Sequence, residues 1–358
     1  MTTAPQRTLL ITGGYGVSGT GVVEAALARP GWTPITTGRR PAPETLLGGR
    51  PAPAHIQVDL LDKEGTDAAF ANLQAVTDVA FCAYLEGRTA ADTVAPNVAM
   101  LGNTLNALKH IGAKVSRIVL MGGGKSYGAH LGPYKTPAKE SDPRHLPPQF
   151  FEAQEDALRA WSASNGADWT ILRPDGIIGP SLGSPMNILT GMATYAAVCK
   201  ELGVPFRFPG SPQAWSALHQ VTDADLLGRA TLWALESDSS RNEIFNITNG
   251  DHYRWKHLWP DLARFFDIPV EEPQPIPLAE YMADKGPVWD AIVAKYNLVP
   301  TSWAQIAAWP FVQGIVNVGF DLVQSTIKAR KAGFGDCIDT HESYLSHLQR
   351  LRDARLIP

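Results

Sequence analysis

A chain of 358 residues, 44% hydrophobic and 18% charged, is long enough to bury a sizeable core in one large or two modest domains. A formal net charge of −4 carries no signal for nucleic acid or another polyanion. Three widely spaced cysteines (Cys82, Cys199, Cys337), with no C-x-x-C, argue against a disulfide framework or a metal site and predict a reducing, cytoplasmic setting. The first seven residues lack an apolar h-region, so no signal peptide is expected. Residues 303–323 are apolar in bulk, but Gln305, Pro310, Gln313, Asn317 and Asp321 interrupt them. They read as helix around a core or pocket, not as a membrane span, with peripheral membrane contact a distant second.

The chain opens on an apolar strand that runs into Gly13-Gly14-Tyr15-Gly16-Val17-Ser18-Gly19, followed by a helical apolar pattern through Val22, Val23, Ala26 and Leu27. Strand, glycine turn and helix in this order predict a dinucleotide site. The glycines let the backbone approach a pyrophosphate, and the helix N-terminus offers unpaired N–H groups to it. Gly14, Gly16 and Gly19 spell G-x-G-x-x-G; Gly13, Gly16 and Gly19 spell G-x-x-G-x-x-G; the spacing alone does not choose. A second strand, residues 33–37, ends at Gly38-Arg39-Arg40-Pro41. An acidic residue here would bind a ribose diol. Two guanidinium groups suit a 2′-phosphate, so the cofactor expected is NADP(H).

Further strands are predicted at residues 55–58, 76–84, 116–121 and 169–173, with helices between them such as 94–110. The alternation implies an α/β fold with a doubly wound parallel sheet, whose ligands sit beyond the carboxyl ends of the strands. Candidate positions there are Asp59, Leu60, Ala83, Tyr84, the lysine of Gly122-Gly123-Gly124-Lys125, and Pro174 to Gly179. Beyond residue 180 the pattern becomes helical, tryptophan-rich and punctuated by proline, apart from a helix at 223–236 and a last strand at 243–248. The expected division is a Rossmann domain of residues 1–180 plus 219–248 and a smaller helical cap of 181–218 plus 249–358. The tryptophans from Trp161 onward are expected mostly in the cap core, some lining a substrate pocket.

These motifs, taken in order, resemble the progesterone 5β-reductase/iridoid synthase-like family of atypical extended short-chain dehydrogenases, which reduce the C=C bond of enones with NADPH. The match includes the glycine turn, Gly38-Arg39-Arg40-Pro41, Asp59-Leu60, Phe81-Cys82-Ala83-Tyr84, Gly124-Lys125-Ser126-Tyr127 and Arg173-Pro174 with Ile177 and Gly179. It continues through Met186-Asn187, Tyr195-Ala196, residues 206–210, Phe245-Asn246, residues 248–251, Trp255, Trp259-Pro260 and residues 325–334. The resemblance implies that Lys125 is the catalytic lysine, that Arg39 and Arg40 carry the 2′-phosphate, and that Pro174 and Ile177 lie beside the nicotinamide. Phe151, Met186 and Tyr195 are the expected pocket residues, the partner is a small apolar carbonyl compound, and a homodimer is left open.

One departure stands out. The family has Asn-Phe-Tyr-Tyr-x-x-Glu-Asp at the start of the helix after the lysine loop, with a catalytic tyrosine. This chain reads Gln149-Phe150-Phe151-Glu152-Ala153-Gln154-Glu155-Asp156. Hydride addition to an enone builds negative charge on its oxygen, and losing a preorganised donor to that oxygen costs about 3 kcal/mol. Three substitutes are open: Tyr127, the weaker candidate Tyr134, or Glu152. A buried Glu152 could donate if protonated, although an ion pair with Lys125 would keep it charged. As a base, Glu152 would suit a redox-neutral isomerase, lyase, dehydratase or cyclase with bound NADP(H). Glu152 could also simply be an acid favoured at a helix N-terminus. His130, His145 and His219 lack metal-ligand spacing and read as structural. A non-enzymatic NADP(H) sensor is the remaining alternative.

Overall fold

The computed structural model describes residues 6–43, 46, 49–184 and 186–358. In chain order, β1 (Arg7–Thr12) leads to α1 (Val17–Ala28), β2 (Trp32–Gly38), β3 (Ala54–Gln57), α2 (Lys63–Ala69), β4 (Asp78–Phe81), α3 (Ala90–His110) and β5 (Arg117–Met121). A short 3-10 turn at Gly124–Tyr127 precedes α4 (Phe150–Asn165) and β6 (Asp168–Pro174). The chain continues with β7 (Ile177–Ile178), α5 (Ile188–Glu201), α6 (Pro212–Ser216), β8 (Thr222–Asp223), α7 (Ala224–Glu236) and β9 (Glu243–Ile247). It ends with α8 (Trp255–Phe266), α9 (Leu278–Tyr281), α10 (Gly286–Lys295), α11 (Trp303–Ile306), α12 (Trp309–Val316), α13 (Ile327–Lys331) and α14 (Thr340–Asp353).

Two compact units result: residues 1–175, 224–247 and 325–336, and residues 176–223, 248–324 and 337–358. The first holds a seven-stranded sheet in the order β3-β2-β1-β4-β5-β6-β9, every pair parallel. Leu9, Leu10 and Ile11 of β1 are fully buried, as the unbroken apolar run of a strand covered on both faces requires. The strand order turns back between β1 and β4. That is the topological switch point of such a sheet, where ligands of this fold class bind beyond the strand ends, here Thr12 and Phe81. On one face α1 and α7 cross backbone to backbone. A Cβ on Gly21 would lie 1.7 Å from the Ala224 carbonyl oxygen, and one on Gly228 would lie 2.0 Å from that of Gly21.

The expected parallel α/β sheet is present, with strand ends shifted by one to three residues. The division of the chain differs from expectation. Residues 325–336 return to the sheet unit, where α13 packs on β9. Trp161, Trp169 and Trp233 also belong to that unit and not to a cap: Trp233 packs on Phe245 and Phe334, and the Arg159 guanidinium lies 4.8 Å over Trp169. The second unit is mainly helical. Its core stacks Phe206 on Trp259 at 4.1 Å and sets Trp255 edge-on to Trp259. Residues 303–323 form two short helices, with Trp309, Val312 and Val316 buried. Among the described residues no helix is long and apolar enough to cross a membrane. All three cysteines are free.

The second unit carries a buried histidine with a measurable consequence. His219 is 1% exposed and forms an isolated antiparallel bridge with Tyr253. Burial pushes its pKa down to about 4, from 6.5 in the unfolded chain. The neutral ring therefore stabilises the fold above pH 6.5, and that contribution is lost as pH falls toward 4. A difference of that size is worth about 3 kcal/mol. Unfolding free energies between pH 7 and 4 should fall about 3 kcal/mol further for the natural chain than for His219→Gln. Parallel curves would contradict this.

Candidate active site

The glycine turn closes on itself. Gly13 takes φ +63°, a left-handed conformation that favours glycine, and its oxygen accepts the Gly16 N–H at 2.9 Å. A Cβ on Gly19 would sit 2.3 Å from that same oxygen and 2.7 Å from the Gly14 Cα. Gly13, Gly16 and Gly19 are thus the positions where backbone meets backbone. Gly14 abuts only the Thr36 side chain at this range, at 2.6 Å. The G-x-x-G-x-x-G register is the structural one. Gly16 caps α1, and no side chain caps the helix. The first turn holds no acid, so its free N–H groups and positive dipole end suit a phosphate.

Thr12 ties the crevice together. Its hydroxyl oxygen accepts the backbone N–H groups of Cys82 and Ala83, each at 3.1 Å, joining the ends of β1 and β4. Tyr84 follows, its ring 5.2 Å from that of Phe150 and its hydroxyl pKa raised by burial. At the end of β2, Arg40 donates to the Tyr15 carbonyl at 3.1 Å, while the backbone oxygens of Arg39 and Arg40 accept from Gln57 and His55. Burial and the Arg39 charge both lower the Arg40 pKa. Two mutually repelling cations held at a strand end are what a phosphate dianion relieves. Asp59 is exposed and accepts the Leu61 N–H at 3.0 Å; Leu60 is buried. The uncapped glycine turn and the arginine pair fit a dinucleotide bearing a 2′-phosphate.

Lys125 stands in the 3-10 turn directly beyond β5, half-buried, and its ammonium has no ion-pair or hydrogen-bond partner among the described residues. The turn packs on α4. Phe151 lies against Gly123, where a Cβ would meet its ring at 3.0 Å, and Phe150 packs on Phe151 with centroids 4.0 Å apart. Tyr127 does not turn toward the crevice. It is 2% exposed, and its hydroxyl donates to Asn246 Oδ1 at 2.5 Å. The Arg173 guanidinium lies 5.1 Å over its ring. Arg173 in turn grips Glu155 through three contacts of 2.8 to 3.2 Å. The phenol belongs to a buried network, a setting that the sequence did not show.

Glu152 corrects one expectation. It makes no ion pair with Lys125. It is 8% exposed, and its Oε1 is buried without a hydrogen-bond partner among the described residues. Burial raises its pKa, against the pull of Arg144, the His145 N–H and Arg173. Pro174 ends β6, and Ile177 begins β7 in the second unit. Met186 and Tyr195 also belong to that unit. Tyr195 donates to the Arg207 carbonyl at 3.1 Å and packs with Phe206 and Trp259, as a core residue does. The sequence reading missed Asn246, which donates to the Ala138 and Ser325 carbonyls while accepting from Tyr127. Its place beside Phe245 was visible, but only the fold shows what it holds.

A parallel sheet with a glycine turn at its switch point and a lysine at a neighbouring strand end defines a Rossmann protein of the short-chain dehydrogenase type. A family model described as "PRISE-like Rossmann-fold domain" matches residues 55–358. The (S)-8-oxocitronellyl enol synthase of Catharanthus roseus is 32% identical over 358 residues, covering 95% of this chain and 90% of that protein. The 3-oxo-Delta(4,5)-steroid 5-beta-reductase of Arabidopsis thaliana is 31% identical, covering 95% and 91%. The structure of RMD from Pseudomonas aeruginosa complexed with NADPH superimposes with a TM-score of 0.66 at 17% identity, covering 98% of each chain, a likeness of fold. The chain belongs to the PRISE-like Rossmann-fold family. The oxidoreductase class and the NADP(H) cofactor read from the sequence stand with that membership.

Proposed function

We propose that this protein reduces the activated C=C bond of a small, apolar enone or enal with NADPH. The observation that carries the reading is Lys125. It is an ammonium with no partner of its own, at the carboxyl end of β5, in the same unit as the glycine turn. Residues that would hold the cofactor are Gly13, Tyr15, Gly16, Val17, Ser18 and Gly19 at the pyrophosphate, with Arg39 and Arg40 at the 2′-phosphate. Asp59 and Leu60, then Ala83 and Tyr84, and finally Lys125 and Pro174 would follow along it. NADPH supplies a hydride when bound. Lys125 offers a fixed positive charge where negative charge develops on the substrate oxygen, in a site partly shielded from water. The relatives named as a reductase and an enol synthase favour this reading over the redox-neutral one.

Two measurements test it. Nicotinamide absorbance should fall when protein, NADPH and an enone or enal are combined; no fall across a panel of such substrates would remove the reading. Arg39→Ala with Arg40→Ala should lower NADPH affinity about 100-fold and leave NADH affinity within a few-fold, since charge-assisted hydrogen bonds are worth about 1.5–3 kcal/mol. Equal losses for both nucleotides would mean that the arginines do not read the 2′-phosphate.

A further inference from the structure

The sheet unit holds a cavity of about 580 Å³, within the range that small organic ligands fill. The strand residues lining it, Trp169 of β6 with Glu243 and Ile244 of β9, stand at the amino ends of those strands. Ligands of this fold class bind at the opposite, carboxyl ends. The rest of the wall comes from the segment before α4, from α4 itself and from residues 325–331, a stretch that the proposed reduction does not use. Part of this wall is apolar. Trp169 and Ile244 are part-buried and pack on the sheet core, and Ile327 of α13 adds a side chain that is 60% exposed. A lone exposed isoleucine is ordinary on a surface; one that lines a cavity with a tryptophan gives it an apolar lip.

The charge of the wall is unbalanced. Four cations, Lys139, Arg159, Lys328 and Lys331, stand against two carboxylates, Glu140 and Glu243. Both carboxylates are engaged: Glu243 by Lys328 at 2.6 Å, and Glu140 by the Asn246 N–H at 2.9 Å. Arg159 lies over the Trp169 ring and reaches Glu155 only at 3.9 Å, while Arg173 holds that carboxylate at 2.8 Å. Its Nε is buried with no hydrogen-bond partner among the described residues. The ammonium groups of Lys139 and Lys331 make no ion pair or hydrogen bond among the described residues, and Asp142 is taken by Lys135.

We propose that this cavity is a ligand site of its own, which takes an amphipathic organic anion. The apolar body would lie against Trp169, Ile244 and Ile327, and one acidic group would be drawn by Lys139, Lys331 and Arg159. Apolar walls with a few convergent charges are what such a molecule requires, and charge-assisted hydrogen bonds would hold its acidic group. The lysines are exposed, so the attraction is open to screening by salt. None of these residues belongs to the proposed nucleotide site, and the inference stands whether or not the protein reduces an enone.

The probe for the test is anilinonaphthalene sulfonate, an aromatic anion whose fluorescence rises on leaving water. It is titrated into the full chain with NADPH in excess, which fills the nucleotide site. One saturable site is expected. Lys139→Gln with Lys331→Gln should weaken it about 10-fold, and raised ionic strength should weaken it in the natural chain. Ile327→Glu, a change at an exposed position, should weaken it at least as much without unfolding the chain. Each variant should bind NADPH as the natural chain does. Laurate should displace the probe and inorganic phosphate should not, since only laurate has an apolar body. Unchanged probe affinity in these variants would overturn the proposal and leave the lysines as charges guarding a sheet edge. Displacement by inorganic phosphate would overturn the role of the apolar wall. A parallel loss of NADPH affinity would show that the cavity is not a separate site.

Discussion

Lys125→Met should lower kcat/KM for enone reduction about 100- to 1000-fold while the protein stays folded. The size follows from what the ammonium does. In the proposed reaction it is a preorganised charge facing a developing oxyanion, and removing one such group costs about 3–4 kcal/mol. The sparing of the fold follows from its surroundings. Lys125 is half-buried with no partner among the described residues, so methionine keeps the volume and strands no buried carboxylate. Stability should therefore change by less than about 0.5 kcal/mol. NADPH affinity should fall about 10-fold at most, the value of one ribose hydrogen bond. The decisive comparison is single-turnover rate against melting temperature. A rate within a few-fold of the natural enzyme would show that Lys125 is a loop lysine and nothing more.

The second large effect is expected at Gly19. In Gly19→Ala the added carbon meets the Gly13 oxygen at 2.3 Å and the Gly14 Cα at 2.7 Å, closer than real Cβ contacts come. Both obstacles are backbone, so no rotamer change relieves them and the turn has to open. Overpacking of this kind costs about 1–3 kcal/mol of stability. The loss in function should be larger, because the displaced segment is the one whose N–H groups are proposed to hold the pyrophosphate; NADPH affinity should drop at least about 100-fold. Gly102→Ala is the matching control. Gly102 lies inside α3 with nothing within 4 Å of its ideal Cβ, so alanine there should stabilise by about 0.5–1 kcal/mol and leave NADPH binding intact. Similar nucleotide affinity in both variants would contradict the assigned register of the turn.

Much of the frame was legible because its physics is local. A strand buried on both faces must be apolar through its centre, as Leu9 to Ile11 of β1, Val79 to Phe81 of β4 and Ile118 to Met121 of β5 are, although the three strands begin on Arg7, Asp78 and Arg117. A turn that folds backbone onto backbone must be glycine at fixed spacing. The choice between Gly13 and Gly14 was not legible, because it depends on Thr36 from β2 and on a φ value that spacing does not encode. The surroundings of Tyr127 and Glu152 were not legible, for one shared reason. Each sits close in sequence to Lys125 or to the expected tyrosine, and nearness along the chain was taken for nearness in charge. Tyr127 is drawn inward by Asn246, 119 residues away. Glu152 is answered by Arg144 and Arg173, whose own partners Asp156 and Glu155 are contributed by α4. The return of residues 325–336 to the sheet unit was equally hidden: α13 is a five-residue helix whose place depends on the edge of β9.

In the proposed reaction a hydride passes to carbon in a substrate whose oxygen faces Lys125. The most direct measurement uses NADPH deuterated at the transferring position, an enone substrate and mass analysis of the product. The expected product is heavier by two hydrogens, one of them deuterium on the β-carbon, with one NADPH oxidised per turnover. A product of unchanged mass, formed while the deuterated nucleotide stays bound and unconsumed, would contradict it.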